Sequence, residues 1–260
     1  VITVVSWGVA TSVVDAGRTG LAAVGIPRGG ACDLGALRLA NRLVGNPPDL
    51  AGVETSGGLT VRVVRPVMVA VAGAQADLHV DGGPPLGWGV PTVLPAGAVL
   101  RVGRVHDGLR TYLAVRGGAV RAGDTGHPGP DPGPPAAAAP AVPHPAPTAL
   151  TLWPGPRADW FTDDAWHALL SATWQVSTHA DRVGVRLDGP MLARRVEAEL
   201  PSEGMVEGAV QVPPDGRPIV MLADHPTTGG YPVIAVVDPA HVDRAAQLAP
   251  GSVVRFTLRR

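Results

Sequence analysis

Three glycine-rich segments of this chain carry polar groups that a plain packing element does not require. The densest covers residues 201–216 and resumes over 224–232. Glu203 and Asp224 are carboxylates able to take or give a proton, and Tyr231 offers a hydroxyl donor or a stacking face. Thr228, Gly229 and Gly230 offer a hydroxyl and freely placed backbone N–H groups to an oxyanion or a phosphate. Residues 213–216 have the composition of a hairpin turn, which is expected to bring the Gln211 and Asp224 ends of two adjacent strands together. The blander alternative for the whole segment is two elaborate turns.

A second segment, residues 11–18, sets Asp15 and Arg18 three apart in a loop. The two either pair and stabilise the turn, or face a ligand, with the guanidinium clamping a carboxylate or phosphate oxygen. The third, residues 27–33, leads through Arg28 and two glycines into a helix whose first N–H groups suit an anion. Asp33 as N-cap would itself satisfy those donors. Asn41, two turns along the helix, faces either a cleft or solvent. Cys32 has no histidine near it in sequence and reads as a buried packing residue rather than a nucleophile. The histidines show no metal-ligand spacing, so no metal is expected. Trp153, Trp160, Trp166 and Trp174 cluster around one predicted helix and read as packing.

Composition narrows the chemistry further. The chain has 260 residues and a mass of 26.5 kDa, enough to bury a core without staples. Every one of its 21 basic residues is arginine. Without lysine there is no phosphate-loop lysine, no Schiff base and no attachment point for biotin or lipoate. A formal net charge of -1 supplies no bulk attraction for nucleic acid or an anionic membrane. The lone cysteine excludes an internal disulfide and a multi-cysteine zinc site. The first five residues show no signal-peptide pattern, and the most apolar stretch, 63–74, falls short of the ~20 residues a span needs. The expectation is a cytoplasmic protein without a membrane segment.

High glycine and proline favour many short strands. In the N-terminal part, Asp33 caps a helix whose apolar stripe runs to Val44 and stops at Gly45 and Pro47. Strands follow at 59–64, 67–72, 76–80, 90–94, 98–102 and 109–115. In the C-terminal part Thr162 caps a helix over 163–171. Strands are then expected near 174–177, 184–187, 208–212, 218–222, 232–237 and 252–258. A last helix opens at Asp238 and Pro239 and is closed by Pro250 and Gly251. Residues 125–149 are almost wholly proline, alanine and glycine and read as an extended linker. The predicted organisation is therefore an N-terminal β lobe (1–124), the linker (125–149) and a C-terminal β lobe (150–260). Residues 95–102 echo 249–256, through either a shared turn grammar or a duplication.

Longer motifs carry a resemblance. The sequence has DxGRxG at Asp15–Gly20, GxPRxG at Gly25–Gly30 and RLANRLVGN at Arg38–Asn46. It continues with DRVGVRLDGP from Asp181, PSEG from Pro201, GAVQVPPDGRPIV from Gly208 and TTGGYP from Thr227. Together these resemble the allophanate hydrolase subunit 2, or biotin-dependent carboxyltransferase, family, which includes Kip inhibitor antagonists and the C-type subunit of 5-oxoprolinase. The resemblance implies a mainly antiparallel, cyclophilin-like β-barrel architecture. It also implies work alongside a subunit 1 or Kip-inhibitor-like partner, with a third subunit in 5-oxoprolinase, where ATP drives ring opening to glutamate. Biotin enters only in the related carboxyl-transfer enzymes. The motif positions it implies as functional are Asp15, Arg18, Arg28, Asp33, Asn41, Arg182, Glu203, Gln211, Asp224, Thr228, Gly229, Gly230 and Tyr231. The chain departs from the family at Val14, Gly29 and Pro226, and a Gly/Ser/Thr-rich stretch resembling GSRST is missing after Gly118. Against the reading as a C-type subunit of a 5-oxoprolinase-type hydrolase stand two rivals: biotin-dependent carboxyl transfer, and a non-catalytic antagonist that binds a kinase-inhibitor partner, for which that gap speaks.

Overall fold

The computed structural model describes residues 1–118 and 149–259. The expected linker falls, but for its last residue, outside the described residues. Two compact units emerge, and each is described by itself.

The first unit holds Val1–Gly17 and the described residues of 33–145. Its strands are β1 (Ile2–Ser6), β2 (Ser12–Val14), β3 (Gly52–Thr55), β4 (Leu59–Val63), β5 (Val67–Gly73), β6 (Ala76–Asp81), β7 (Thr92–Leu94), β8 (Val99–Val105) and β9 (Thr111–Val115). They form one sheet ordered β1-β4-β8-β6 and another ordered β2-β3-β9-β5-β7, with antiparallel neighbours. Alternation explains the layering. Val67, Val69 and Val71 of β5 join Leu113, Leu59, Val61 and Leu100 in one apolar core. Ala70 and Ala72, the intervening residues, are equally buried because helix α1 (Leu34–Leu43) packs against β5 and β9. Close approach of that helix demands small residues beneath it. A Cβ on Gly52 would stand 2.8 Å from Leu37 Cδ1. Asp33 caps α1 as expected, its Oδ1 accepting from the Ala36 amide at 2.8 Å.

The RLANRLVGN motif closes the end of this helix. Asn41 is fully buried, and its Nδ2 donates to the Leu50 carbonyl at 2.6 Å and the Pro48 carbonyl at 3.2 Å. Asn46 Nδ2 donates to Asn41 Oδ1 (3.0 Å) and the Val115 carbonyl (2.9 Å), while Asn46 Oδ1 accepts from Gly117 N at 2.8 Å. The motif is therefore a brace between the helix end and β9. Replacing Asn46 by alanine orphans buried donors and acceptors and is expected to cost about 1–3 kcal/mol. The check is a urea midpoint, and an unmoved midpoint would count against the brace.

The second unit holds Arg18–Cys32 and the described residues of 146–260. Its strands are β10 (Ala149–Pro154), β11 (Trp174–Val176), β12 (Gly184–Asp188), β13 (Glu203–Gly204), β14 (Ala209–Gln211), β15 (Ile219–Met221), β16 (Thr228–Gly229), β17 (Val233–Val237) and β18 (Val253–Leu258). Seven of them close a barrel in the order β10-β17-β14-β15-β12-β11-β18, while β13 and β16 form a separate two-stranded ribbon. The barrel corrects the antiparallel expectation, since β10 and β18 run parallel. An odd number of strands cannot alternate direction around a closed ring, so one neighbouring pair must be parallel. Trp174, Phe256, Leu150, Val210, Val220 and Ile234 fill the interior together with Cys32, which confirms the cysteine as a packing residue. Trp174 donates its indole N–H to the Leu169 carbonyl at 3.1 Å.

Helix α2 (Asp163–Ser171) has the expected Thr162 cap, with Thr162 Oγ1 accepting from Ala165 N at 3.1 Å. Helix α3 (Pro239–Ala245) opens at Asp238 but stops earlier than the Pro-Gly pair suggests. Tight turns from Gln247 N to the Arg244 carbonyl and from Leu248 N to the Ala245 carbonyl draw the fully buried Leu248 into the core. The echoed segments do share a local form, with Ala98 N bonded to the Pro95 carbonyl and Ser252 N to the Ala249 carbonyl before β8 and β18.

Candidate functional site

The first-unit candidates serve their own backbone. Asp15 Oδ1 accepts from Gly17 N at 2.8 Å, a local turn. Asp33 caps α1 and Asn41 braces its end.

The other candidates lie in the second unit, where residues 18–32 run along the barrel. Arg18 N donates to the Arg28 carbonyl (2.7 Å) and Gly29 N to the Ala223 carbonyl (3.0 Å). Gly29 and Gly30 both adopt positive φ, 59° and 83°, a conformation that side chains disfavour. A Cβ at Gly29 would sit 3.7 Å from Arg18 Nη2 and 3.8 Å from Asp224 Oδ1. The glycine thus opens onto the space between that guanidinium and that carboxylate.

Arg182 ties this loop down. Its Nε donates to Asp224 Oδ2 at 2.8 Å, and its Nη2 donates to Asp224 Oδ1 at 3.2 Å and to the Gly30 carbonyl at 2.6 Å. Asp181 sets up the reach by accepting from Val183 N and Gly184 N. Arg28 pairs with Glu207, whose side chain is 14% exposed. Burial pushes the Glu207 carboxyl above its ordinary value. The Arg28 charge offsets part of that shift, and nearby Asp243 adds to it. Among the described residues Arg18 has no ion-pair partner, unlike Arg28 and Arg182.

The ribbon carries the remaining candidates. Glu203 pairs with Gly229 and Gly204 with Thr228, so Thr228 and Gly229 are strand-paired instead of offering a loop of free amides. Glu203 is gripped at both oxygens by Arg157, which lies 5.6 Å from the Trp160 ring centroid. Gly229 packs closely, for a Cβ there would fall 2.5 Å from Met205 Cε and 2.7 Å from Gln211 Nε2, so both side chains would have to shift. Gln211 is itself buried and donates to the Tyr231 carbonyl at 3.1 Å. It therefore shapes the turn that presents the exposed Tyr231 ring.

The hairpin expectation needs correction. Antiparallel pairing puts Gln211 opposite Ile219, beside the 213–216 turn, whereas Asp224 lies past the far end of β15. There, with Gly208 N bonded to the Met221 carbonyl, its neighbour across the pair is the Glu207 end. Pairing partners lie equally far from the turn, so a residue eight positions beyond it cannot meet one next to it. Glu207 and Arg157 were not singled out by sequence reasoning. The available signal for Glu207 was a carboxylate set one glycine ahead of an apolar strand start at Ala209.

Among the described residues no group of His, Cys, Asp and Glu side chains is placed to hold a metal ion. No helix there is long and apolar enough to cross a membrane.

Comparison with known proteins adds a family. The model described as carboxyltransferase domain, subdomain A and B, matches residues 24–123 and 119–258. The chain is 34% identical to the C-type subunit of 5-oxoprolinase from Escherichia coli (strain K12), covering 97% of this chain and 89% of the relative. Its identity to the corresponding Haemophilus influenzae 5-oxoprolinase protein is 30%, over 94% and 87% of the two chains. Among solved structures, TTHA0988 superposes with a TM-score of 0.86 at 35% identity over 98% of this chain and 55% of that one. The K. lactis urea amidolyase gives 0.88 at 25% identity, over 100% of this chain and 19% of that one. The chain thus spans about half of the first solved structure and about a fifth of the second.

Proposed function

Because the chain belongs to the carboxyltransferase-domain family, subdomains A and B, we propose that it is the C-type subunit of an ATP-dependent 5-oxoprolinase-type amide hydrolase. In this reading it opens the 5-oxoproline ring to glutamate in the cytoplasm, in complex with a subunit-1 or Kip-inhibitor-like partner and a third subunit. The observation that carries it is sequence similarity: the chain is 34% identical to the 5-oxoprolinase relative over 97% of its residues, against 26% over 96% for the Saccharomyces cerevisiae urea amidolyase. The barrel is taken as cyclophilin-like, and residues 125–149 as the linker between parts 1–124 and 150–260.

The donor set does not fit a triphosphate. Arg28 and Arg182 are engaged by Glu207 and Asp224, which leaves Arg18 alone of these three guanidiniums to meet a phosphate. ATP is therefore assigned to the partner subunits, and no step on this chain runs through it. Biotin likewise would need a carrier chain, since no lysine is present to bear it.

Once water adds to the carbonyl carbon, opening a cyclic amide needs charge stabilisation at the carbonyl oxygen and a proton at the nitrogen that departs as the C–N bond breaks. Arg18, beside Gly29, supplies the first. Glu207, whose carboxyl holds its proton to higher pH than an ordinary glutamate, supplies the second. Glu203 and Asp224 have their oxygens engaged by arginine forks, so they are given the task of holding the ribbon and the loop. Thr228, Gly229, Gly230 and Tyr231 form the neighbouring wall.

Urea amidolyase similarity favours carboxyl transfer as the second reading. The test is co-expression with the partner subunits and an assay of 5-oxoproline-dependent ATP hydrolysis. Turnover that requires this chain is expected. A complete complex that cleaves nothing would instead favour the antagonist role suggested by the segment after Gly118.

A further inference from the structure

A cavity of about 690 Å³ in the second unit is bounded in part by Gly230 and Tyr231, the wall named above, and extends past them to residues given no role so far. Its size falls in the range of small-molecule sites. Leu192, Leu200 and Pro213 supply apolar wall, and Arg194 and Tyr231 supply polar groups. Arg194 is half-buried, and its Nη2 donates to the Val212 carbonyl. Among the described residues it has no carboxylate in ion-pair reach. Burial draws its guanidinium below the ordinary arginine value, and the charge interaction with Tyr231 offsets part of that. A desolvated cation without a counterion is costly unless something brings one.

We propose that this cavity is a binding subsite for a small organic monocarboxylate, with Arg194 and the Tyr231 hydroxyl as carboxylate donors. Geometry sets the ligand's class. One guanidinium and one phenol match the two oxygens of a carboxylate, and the apolar wall takes a compact hydrocarbon or ring body. Glu197 and Glu199, exposed at the same cavity, repel dianions and polyphosphates more strongly than a monoanion. Naming 5-oxoproline as the natural ligand rests on the hydrolase reading above; the subsite itself does not.

The test uses the full chain and three probes: 5-oxoproline, cyclopentanecarboxylate (the ring and charge without the amide) and 2-pyrrolidinone (the amide without the charge). Calorimetry or ligand-observed NMR is expected to show binding of both carboxylates and none of the pyrrolidinone. Arg194→Gln should weaken carboxylate binding by about tenfold or more. Tyr231→Phe, which removes only a hydroxyl from an exposed ring, should weaken it by a smaller factor with an unchanged melting temperature. Equal binding of pyrrolidinone, no binding of either carboxylate, or affinities indifferent to both variants would overturn the subsite. The two proposals separate in the assembled complex. Arg194-dependent carboxylate binding without turnover sinks the hydrolase and keeps the subsite. Turnover with an unchanged KM in Arg194→Gln does the reverse.

Discussion

Glu207→Gln is expected to lower 5-oxoproline turnover by the assembled complex by about 10²–10⁴-fold, the usual contribution of a positioned proton donor. Glutamine keeps the shape and can still meet Arg28 through its carbonyl, so the chain should remain folded while losing the titrating group. The pH dependence supplies a second readout. The folded-state carboxyl value lies above the ordinary 4.5, so the folded protein binds this proton more tightly than the unfolded chain. Its contribution to stability is therefore fully present below about pH 4.5 and is lost as pH rises through the raised value. In the variant that slope disappears. Its rate profile should also lose the limb that tracks Glu207 deprotonation. Glu203→Gln, at a half-exposed carboxylate already held by Arg157, should lose less. Equal losses in the two variants, or parallel stability curves for wild type and Glu207→Gln, would return the proton-handling role to the ribbon.

The contrast between Glu203 and Glu207 shows what a linear reading can reach. Caps and helices were legible because their determinants are local: Asp33 acts on Ala36, three residues on, and Thr162 on Ala165. Barrel strands rich in valine and isoleucine were legible for the same reason, through period and turn residues. Pairing was not. Arg182 finds Asp224 across 42 residues and Arg28 finds Glu207 across 179. Nothing in the intervening composition says which carboxylate meets which guanidinium. The ribbon strands β13 and β16 contain two residues each, too short for any periodicity, so Thr228 and Gly229 read as a free loop. Strands β2, β3 and β10 also escaped notice. Ser12–Val14 is too short to alternate, and Gly52–Thr55 is buried on both faces, which erases the in–out pattern. Arginine-rich loops were recognised as charged, but which arginine lacks a partner is a property of the folded chain alone.

The same principle gives the largest stability effect expected in the first unit. Beneath α1, Tyr112 donates its hydroxyl to Glu54 Oε2 at 2.7 Å and accepts from Asp33 N at 2.8 Å, while Arg110 Nε stands 3.5 Å from Glu54 Oε1. Glu54, Tyr112 and Arg110 are 1%, 0% and 5% exposed. The cluster joins β3 and β9 to the helix cap, so the charge is buried where sheet and helix meet. Glu54→Ala removes a buried carboxylate that accepts from the Tyr112 hydroxyl and stands in ion-pair reach of Arg110, a change that typically destabilises by about 3–5 kcal/mol. Tyr112→Phe, which removes one hydroxyl, should cost about 1–3 kcal/mol. Pairing Glu54→Leu with Arg110→Met removes both charges and should restore much of the loss, because removing one member of a buried ion pair costs more than replacing both by apolar residues. Guanidinium chloride unfolding of the four chains decides the matter. If the double variant were as unstable as Glu54→Ala, the stabilisation would have to come from packing of the glutamate stem, and the charge pair would be incidental to it.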